Sequence, residues 1–193
     1  MPDAAEWEAA ANREITSLQE RKVYTLAPRK AVPPGRKRIK TKWVMKGKAS
    51  NTYKARLVAQ GWNQVHGSDC GSTFAPVCRI QCIRIFVAIT VEYDLDMDHM
   101  DLSTAFLCAD IQEKVFVERA PGFMVKDKDE GELVMQLEKS LYGLAQSPDN
   151  WFHTIDPVLV DLGFVLLKSD NAFRHMRVCL QPRGCQDHLD ALR

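Results

Sequence analysis

Residues 40–60 read KTKWVMKGKASNTYKARLVAQ. Two strand-like runs, 40–48 and 53–60, flank Ala49, Ser50, Asn51 and Thr52, whose small polar side chains suit a turn. The segment predicts a β-hairpin, and a basic one. From residue 29 to residue 56 the chain carries eleven Lys/Arg and no Asp or Glu; the rest of the 193 residues holds 15 Lys/Arg against 25 Asp/Glu. The formal net charge of +1 therefore hides a basic limb on an acidic body. A basic limb suits phosphate, which is bound largely through Lys/Arg charge with release of counterions. On charge alone, a solvated loop and hairpin would read the same way.

On the N-terminal side of the hairpin, Trp7, Ala11, Ile15 and Leu18 recur at helical spacing, which predicts an amphipathic helix over 4–20 with Asp3 as its N-cap. Residues 23–26 read as a short strand, and 28–35, with Pro33-Pro34-Gly35, as a loop. On the other side, 61–77 is irregular. Residues 79–93 are strongly apolar, with Ile80, Ile83, Val87 and Val91 on one face; they read as a buried helix, and their β-branched content leaves a strand open. Strands are expected over 95–101, 115–118, 133–137 and 164–167, a helical stretch over 102–108, and a charged turn over 126–132. Ser147 as N-cap and Pro148 at the first position start a helix that carries Trp151, Ile155, Leu159 and Leu162 and ends at Gly163. From residue 174 onward the periodicity fades. This order predicts an α+β domain with helices packed on a mostly antiparallel sheet.

Composition narrows the function. With 46% apolar and 26% charged residues, a chain of this length buries a core without disulfides. No run of about 18 apolar residues occurs, so no membrane partner is expected. The opening MPDAAEWEAA is acidic and polar, with no secretory leader pattern. The six cysteines, at 70, 78, 82, 108, 179 and 185, form no Cys-x-x-Cys, so reduced thiols and an intracellular location, cytoplasmic or nuclear, are expected. His66, Cys70, Cys78, Cys82 and His99 do not have the spacing of a zinc module. Neither a phosphate-cradling Gly-x-x-x-x-Gly-Lys loop nor a Gly-x-Ser-x-Gly elbow is present.

Two constellations could carry chemistry. Asp94, Asp96, Asp98 and Asp101 surround Leu95, Met97 and Met100. A strand ending in an acid puts a carboxylate at a sheet rim, where Mg²⁺ could be held with phosphates and water as its other ligands. A solvated acidic strand end fits the same spacing. The run 140–148, SLYGLAQSP, is a turn opening into a helix. Gly143 permits close backbone approach there, so the turn could receive a base, sugar or phosphate, or simply join strand to helix.

Together these pieces resemble the reverse transcriptase domain of copia-type retrotransposon polyproteins. WEAAANREITSL is similar to the family's Trp-led first helix, and KTKWVMKGK with YKARLVAQGWNQVHGSDCGSTFAPV to its fingers hairpin and the segment after it. HMDLSTAFLCADIQEKVFVERAPGF resembles the first metal motif, LEKSLYGLAQSPDNW the second conserved block, and LVDLGFVLLKSDNAF the approach to the third. The resemblance implies a fingers and partial-palm domain over 1–173, with 174–193 a divergent tail. It implies an RNA-directed DNA polymerase with RNA template, DNA primer and deoxynucleoside triphosphate as partners. Asp101 would be the first carboxylate holding two Mg²⁺ ions, and Leu102 would offer its carbonyl. Phe106 would be the bulky residue under the sugar, Lys54 and Arg56 would grip the triphosphate, and Gln146 would line the template–nucleotide pocket. Lys40, Lys42 and Lys46 would contact nucleic acid.

The departures are specific. No Asp-Asp pair occurs anywhere, so the family's Tyr-x-Asp-Asp block is expected to be missing, and with it the other metal ligands. Ala145-Gln146-Ser147-Pro148-Asp149 stands where the family usually has Lys-Gln-Ala-Pro-Arg. Three readings therefore stay open: a truncated, inactive reverse transcriptase segment, a nucleic-acid-binding module without catalysis, and a structural remnant.

Overall fold

A computed structural model describes residues 3–47, 52–123, 126–127, 131–168 and 170–175. It divides into two compact units. The first comprises Met1–Pro76 and Met97–Asp156, and the second Val77–Asp96 and Pro157–Arg193.

The first unit begins with helix α1, Ala4–Glu20, as the periodicity predicts. Its buried residues Ala10, Ala11 and Leu18 lie on one stripe, as positions one, seven and eight apart do on an amphipathic helix. The stripe packs on the hairpin of β3, Thr41–Gly47, and β4, Tyr53–Ala59, through a small cluster of Ala10, Ala11 and Ala55. The rings of Trp7 and Tyr53 meet edge-on at 4.6 Å. The turn expected at 49–52 lies outside the described residues except for Thr52.

A separate five-stranded sheet runs in the order β1-β7-β5-β2, with β6 paired to the start of β7. Its members are β1, Tyr24–Pro28; β2, Arg38–Ile39; β5, Asp110–Val117; β6, Lys126–Asp127; and β7, Gly131–Lys139. The pairs are antiparallel except β2 with β5, which is parallel. The core of this unit joins α1, hairpin and sheet through Leu18, Val23, Ile39, Leu57, Val117 and Leu137. A mixed fold of helices and small, mostly antiparallel sheets is thus what forms among the described residues.

The strand expected at 95–101 does not form, and Asp101 is exposed with no strand or helix assigned. A strand has two edges, and both edges of β7 are occupied, one by β1 at Tyr24–Pro28 and the other by β5. The sequence reading sets 95–101 beside residues 133–137 with Asp101 at the sheet rim, and no position remains there for a further strand. The start of the segment is also used elsewhere. Asp94 adopts a positive φ of 49°, and the N–H groups of Asp94 and Leu95 donate to the carbonyls of Val91 and Thr90. That pattern closes the preceding helix.

In the second unit, helix α2, Ile80–Glu92, forms where the sequence places it, but it is not buried. Ile80, Ile83 and Val91 are 53%, 44% and 75% exposed, and Thr90 is the residue of the helix that is fully inside. The described part of this unit is too small to surround the helix. What it provides is the hairpin of β8, Val165–Leu167, and β9, Asp170–His175, which bring Phe173 to within 6.0 Å of Phe86. Strand β9 has no counterpart in the sequence reading. The tail is described only as far as His175.

Helix α3, Ser147–Asp161, contains Pro157 and ends through Gly163 at φ 88°. Ser147 is not its N-cap: its hydroxyl turns back to donate to the carbonyl of Leu141 at 2.7 Å, while the carbonyl of Gln146 accepts from Asn150 N–H. No helix among the described residues is long and apolar enough to cross a membrane.

Candidate nucleic-acid interface

The register of the β3–β4 hairpin decides where its charges point. Lys42 lies opposite Val58, Val44 opposite Arg56 and Lys46 opposite Lys54. Residues directly opposite in an antiparallel pair share a face, and alternate residues along a strand share it too. Lys42, Lys46, Lys54 and Arg56 therefore stand on one side. The other side is formed by Thr41–Ala59, Trp43–Leu57 and Met45–Ala55, and Ala55, Leu57 and Ala59 are buried. Lys40 extends the charged side by one step, because Gln60 N–H donates to its carbonyl and continues the ladder. Lys46 and Lys54 face each other directly, an arrangement of like charges that is unfavourable unless an anion intervenes.

One end of this face meets the turn after β7. The Ala59 N–H donates to the carbonyl of Tyr142 at 2.7 Å, and Gly61 N–H to that of Gly143 at 3.1 Å. Gly143 has φ 86°, and a Cβ on it would lie 2.2 Å from the carbonyl oxygen of Ala59. Only glycine satisfies both the left-handed backbone and the close approach. The docking sets the Arg56 guanidinium 5.6 Å from the Tyr142 ring centre, with the Phe106 ring 5.8 Å beyond. Burial pushes the Tyr142 hydroxyl up in pKa, aided by the charge of Glu14, while Arg56 acts in the opposite sense. Glu14 is itself raised by burial; the hydrogen bond from Leu57 N–H, then Arg56 and Lys54, oppose this.

The residues singled out in the sequence are thus partly brought together. Arg56, Phe106 and the 140–148 turn form one cluster, and Lys40, Lys42, Lys46 and Lys54 one charged face. Gln146 does not line an open pocket. It is 1% exposed, donates to the Asp69 carbonyl at 3.2 Å and accepts from Gln64 at 2.9 Å, so its amide is used in holding the 61–69 loop against the turn. Asp149, which stands where the family usually has Arg, is buried with His153 at 3.4 Å. Tyr142 belongs to the same cluster, and the sequence signal for it is an aromatic next to a turn glycine.

Asp101 and Leu102 are both exposed, on a stretch with neither helix nor strand. Among the described residues, no three His, Cys, Asp or Glu side chains gather where a cation could be held. The donor set around Asp101 does not fit a pair of Mg²⁺ ions, which needs several carboxylates close together.

Residues 21–175 match the family described as Reverse transcriptase (RNA-dependent DNA polymerase). The chain is 34% identical over 174 residues to the "Retrovirus-related Pol polyprotein from transposon TNT 1-94" of Nicotiana tabacum, a match covering 88% of this chain and 13% of that protein. It is 33% identical to the corresponding polyprotein from transposon RE2 of Arabidopsis thaliana and 34% identical to that from transposon RE1. Each of those two matches covers 86% of this chain and 12% or 11% of the relative. The chain thus spans about an eighth of the length of these relatives. No solved structure matches it.

Proposed function

The chain belongs to the reverse transcriptase (RNA-dependent DNA polymerase) family in its copia-type transposon branch, and on that premise we propose that it is a segment that grips nucleic acid without catalysing synthesis. The single observation carrying this reading is the hairpin register, which puts Lys42, Lys46, Lys54 and Arg56 on one face. Charge on one rigid face can follow a phosphate backbone, and binding of this kind is independent of sequence. In this reading the hairpin and α1 are fingers, and the sheet with the 140–148 turn is a partial palm. RNA template and DNA primer run over the charged face. A deoxynucleoside triphosphate would meet Lys54 and Arg56, with Phe106 beneath its sugar. An intracellular location, where thiols stay reduced, belongs to the same reading.

The absence of catalysis rests on the sequence and on the donor set. Two-metal phosphoryl chemistry needs acids on both sides of the ion pair. The 193 residues contain no Asp-Asp pair, and Asp101 stands on an exposed stretch.

The test compares charge reversals of equal size. Lys46→Glu with Lys54→Glu alters the face; Lys22→Glu with Lys114→Glu alters exposed lysines elsewhere. Fluorescence anisotropy with a labelled RNA–DNA hybrid should show at least about tenfold weaker binding for the first pair and little change for the second. Equal losses from both pairs would reduce the effect to net charge and remove the interface.

A further inference from the structure

Strand β2 is short, and its side chains alternate around one buried residue. Ile39 is 1% exposed, so Arg38 and Lys40 project to the opposite side. Two cavities open along them. One, of about 280 Å³, brings Arg38 and Lys40 together with Arg29 and Arg119, and Glu118 is the one carboxylate in its wall. The other, of about 410 Å³, shares Arg38 and Lys40 and adds Arg36 and Lys37.

The segments supplying these side chains are fixed by backbone bonds. Ile39 pairs with Val117, and the N–H of Glu118 donates to the Ile39 carbonyl at 2.9 Å. The Thr41 hydroxyl lies 3.2 Å from the carbonyls of both Glu118 and Arg119. Arg29 directly follows Pro28, which pairs with Leu133. The cations are therefore presented by a sheet edge and its connections, with little to reorganise on binding.

Two nitrogens in this group are unsatisfied. Among the described residues, the buried Nε of Arg38 and Nη1 of Arg119 have no hydrogen-bond partner. Neither guanidinium makes an ion pair with Glu118 within 4.0 Å. A buried donor without an acceptor is destabilising, and more so when it is charged. A guanidinium fork is matched by the oxygens of a phosphate, which accept in pairs. The smaller cavity holds several waters' volume at about 30 Å³ each, room for a phosphate group but tight for a nucleoside.

We propose that the cavity walled by Arg29, Arg38, Lys40 and Arg119 is a phosphate-binding site. The phosphate is either a phosphodiester of a nucleic-acid strand or a free phosphate. Lys40 lies at the junction of this site with the hairpin's charged face, so a strand crossing that face could place one phosphate here. The site does not depend on the hairpin reading, and the two fail separately.

The test uses the full chain. Its melting temperature is followed with rising inorganic phosphate against sodium chloride of matched ionic strength, and phosphate affinity is measured by calorimetry. Wild type should be stabilised by phosphate beyond the salt control. Arg119→Ala should bind phosphate at least about tenfold more weakly, whereas Lys46→Ala/Lys54→Ala should respond as wild type does. A single-stranded oligonucleotide distinguishes the two sources. If the phosphate is that of a strand, Arg119→Ala weakens oligonucleotide binding as well and inorganic phosphate competes with it. If it is free phosphate, oligonucleotide binding is unchanged by the variant while the phosphate response is lost. The absence of a phosphate-specific rise in wild type overturns the proposal, whether or not the variant folds. So does an Arg119→Ala chain that titrates like wild type.

Discussion

Replacing Gly143 by alanine tests how the charged hairpin is held to the turn carrying Tyr142. The added Cβ meets a backbone oxygen, that of Ala59, at 2.2 Å and the Val58 Cγ1 at 2.6 Å. The backbone oxygen cannot rotate away, so one segment must shift. Left-handed strain on a non-glycine residue is about 1–2 kcal/mol, and forcing extra volume into a packed contact about 1–3 kcal/mol. The shift also stretches the bonds from Ala59 and Gly61 to the turn, each contributing about 0.5–1.5 kcal/mol. A loss of about 3–8 kcal/mol is expected, a large fraction of the 5–15 kcal/mol typical of a domain. Gly35→Ala supplies the control. Gly35 sits at φ 84° in the turn closed by Arg36 N–H to the Pro33 carbonyl, and nothing lies within 4 Å of where its Cβ would go. That variant should lose only the strain, about 1–2 kcal/mol. Urea unfolding followed by circular dichroism measures both. If Gly143→Ala proves no more destabilising than Gly35→Ala, the hairpin is not held against the turn as described.

Other outcomes rest on the same geometry. Purified protein should not extend a primer on an RNA template with Mg²⁺ or Mn²⁺, and Asp101→Ala should leave that background unaltered; extension that disappears in the variant would show that some acid completes a metal site. Asp170 accepts from the N–H groups of Arg79 and Ala172, which, with the thiols of Cys82 and Cys78, hold its carboxyl at about 2 against an ordinary 3.8. Its folded-state pKa is depressed, so its stabilising effect is present above about 3.8 and is lost as pH falls toward 2; the amide shifts of Arg79 and Ala172 should titrate near 2, and a midpoint near 4 would contradict the assignment. Burial raises Glu14 above its ordinary 4.5, so its charge weakens the fold increasingly as pH rises through its folded pKa. Glu14→Gln should equal or exceed wild type in thermal stability at pH 7, with the gap closing in acid; a variant clearly less stable at pH 7 would refute this.

Much of this fold was legible because it is local. The α1 stripe, the hairpin and the Pro33-Pro34-Gly35 turn each rest on spacing or turn chemistry within one segment. The charged face was half legible: the lysines were visible, but only the register shows that Lys46 and Lys54 are opposed and that Arg56 joins them. The errors lie where distant partners decide. The 95–101 stretch alternates like a strand, yet β1 and β5 already occupy both edges of β7, and residues far away in sequence settle that. Helix α2 reads as buried because its side chains are apolar, but burial needs surrounding chain, which the described part of its unit does not supply. The place of Gln146 on a template–nucleotide pocket comes from the family resemblance alone; its amide is taken by Gln64 and Asp69, more than seventy residues away, which no local pattern shows. The cluster of Arg29, Arg38 and Arg119 was hidden for the same reason, since three separated segments form it.

The most direct test of the nucleic-acid reading is the salt dependence of binding to an RNA–DNA hybrid. With Lys40, Lys42, Lys46, Lys54 and Arg56 each neutralising a phosphate, log K should fall against log salt with a slope of about −4 to −5. Lys46→Ala/Lys54→Ala should make that slope shallower by about 2. A flat response in wild type, or a double variant with an unchanged slope, would contradict the claim that this hairpin face holds nucleic acid.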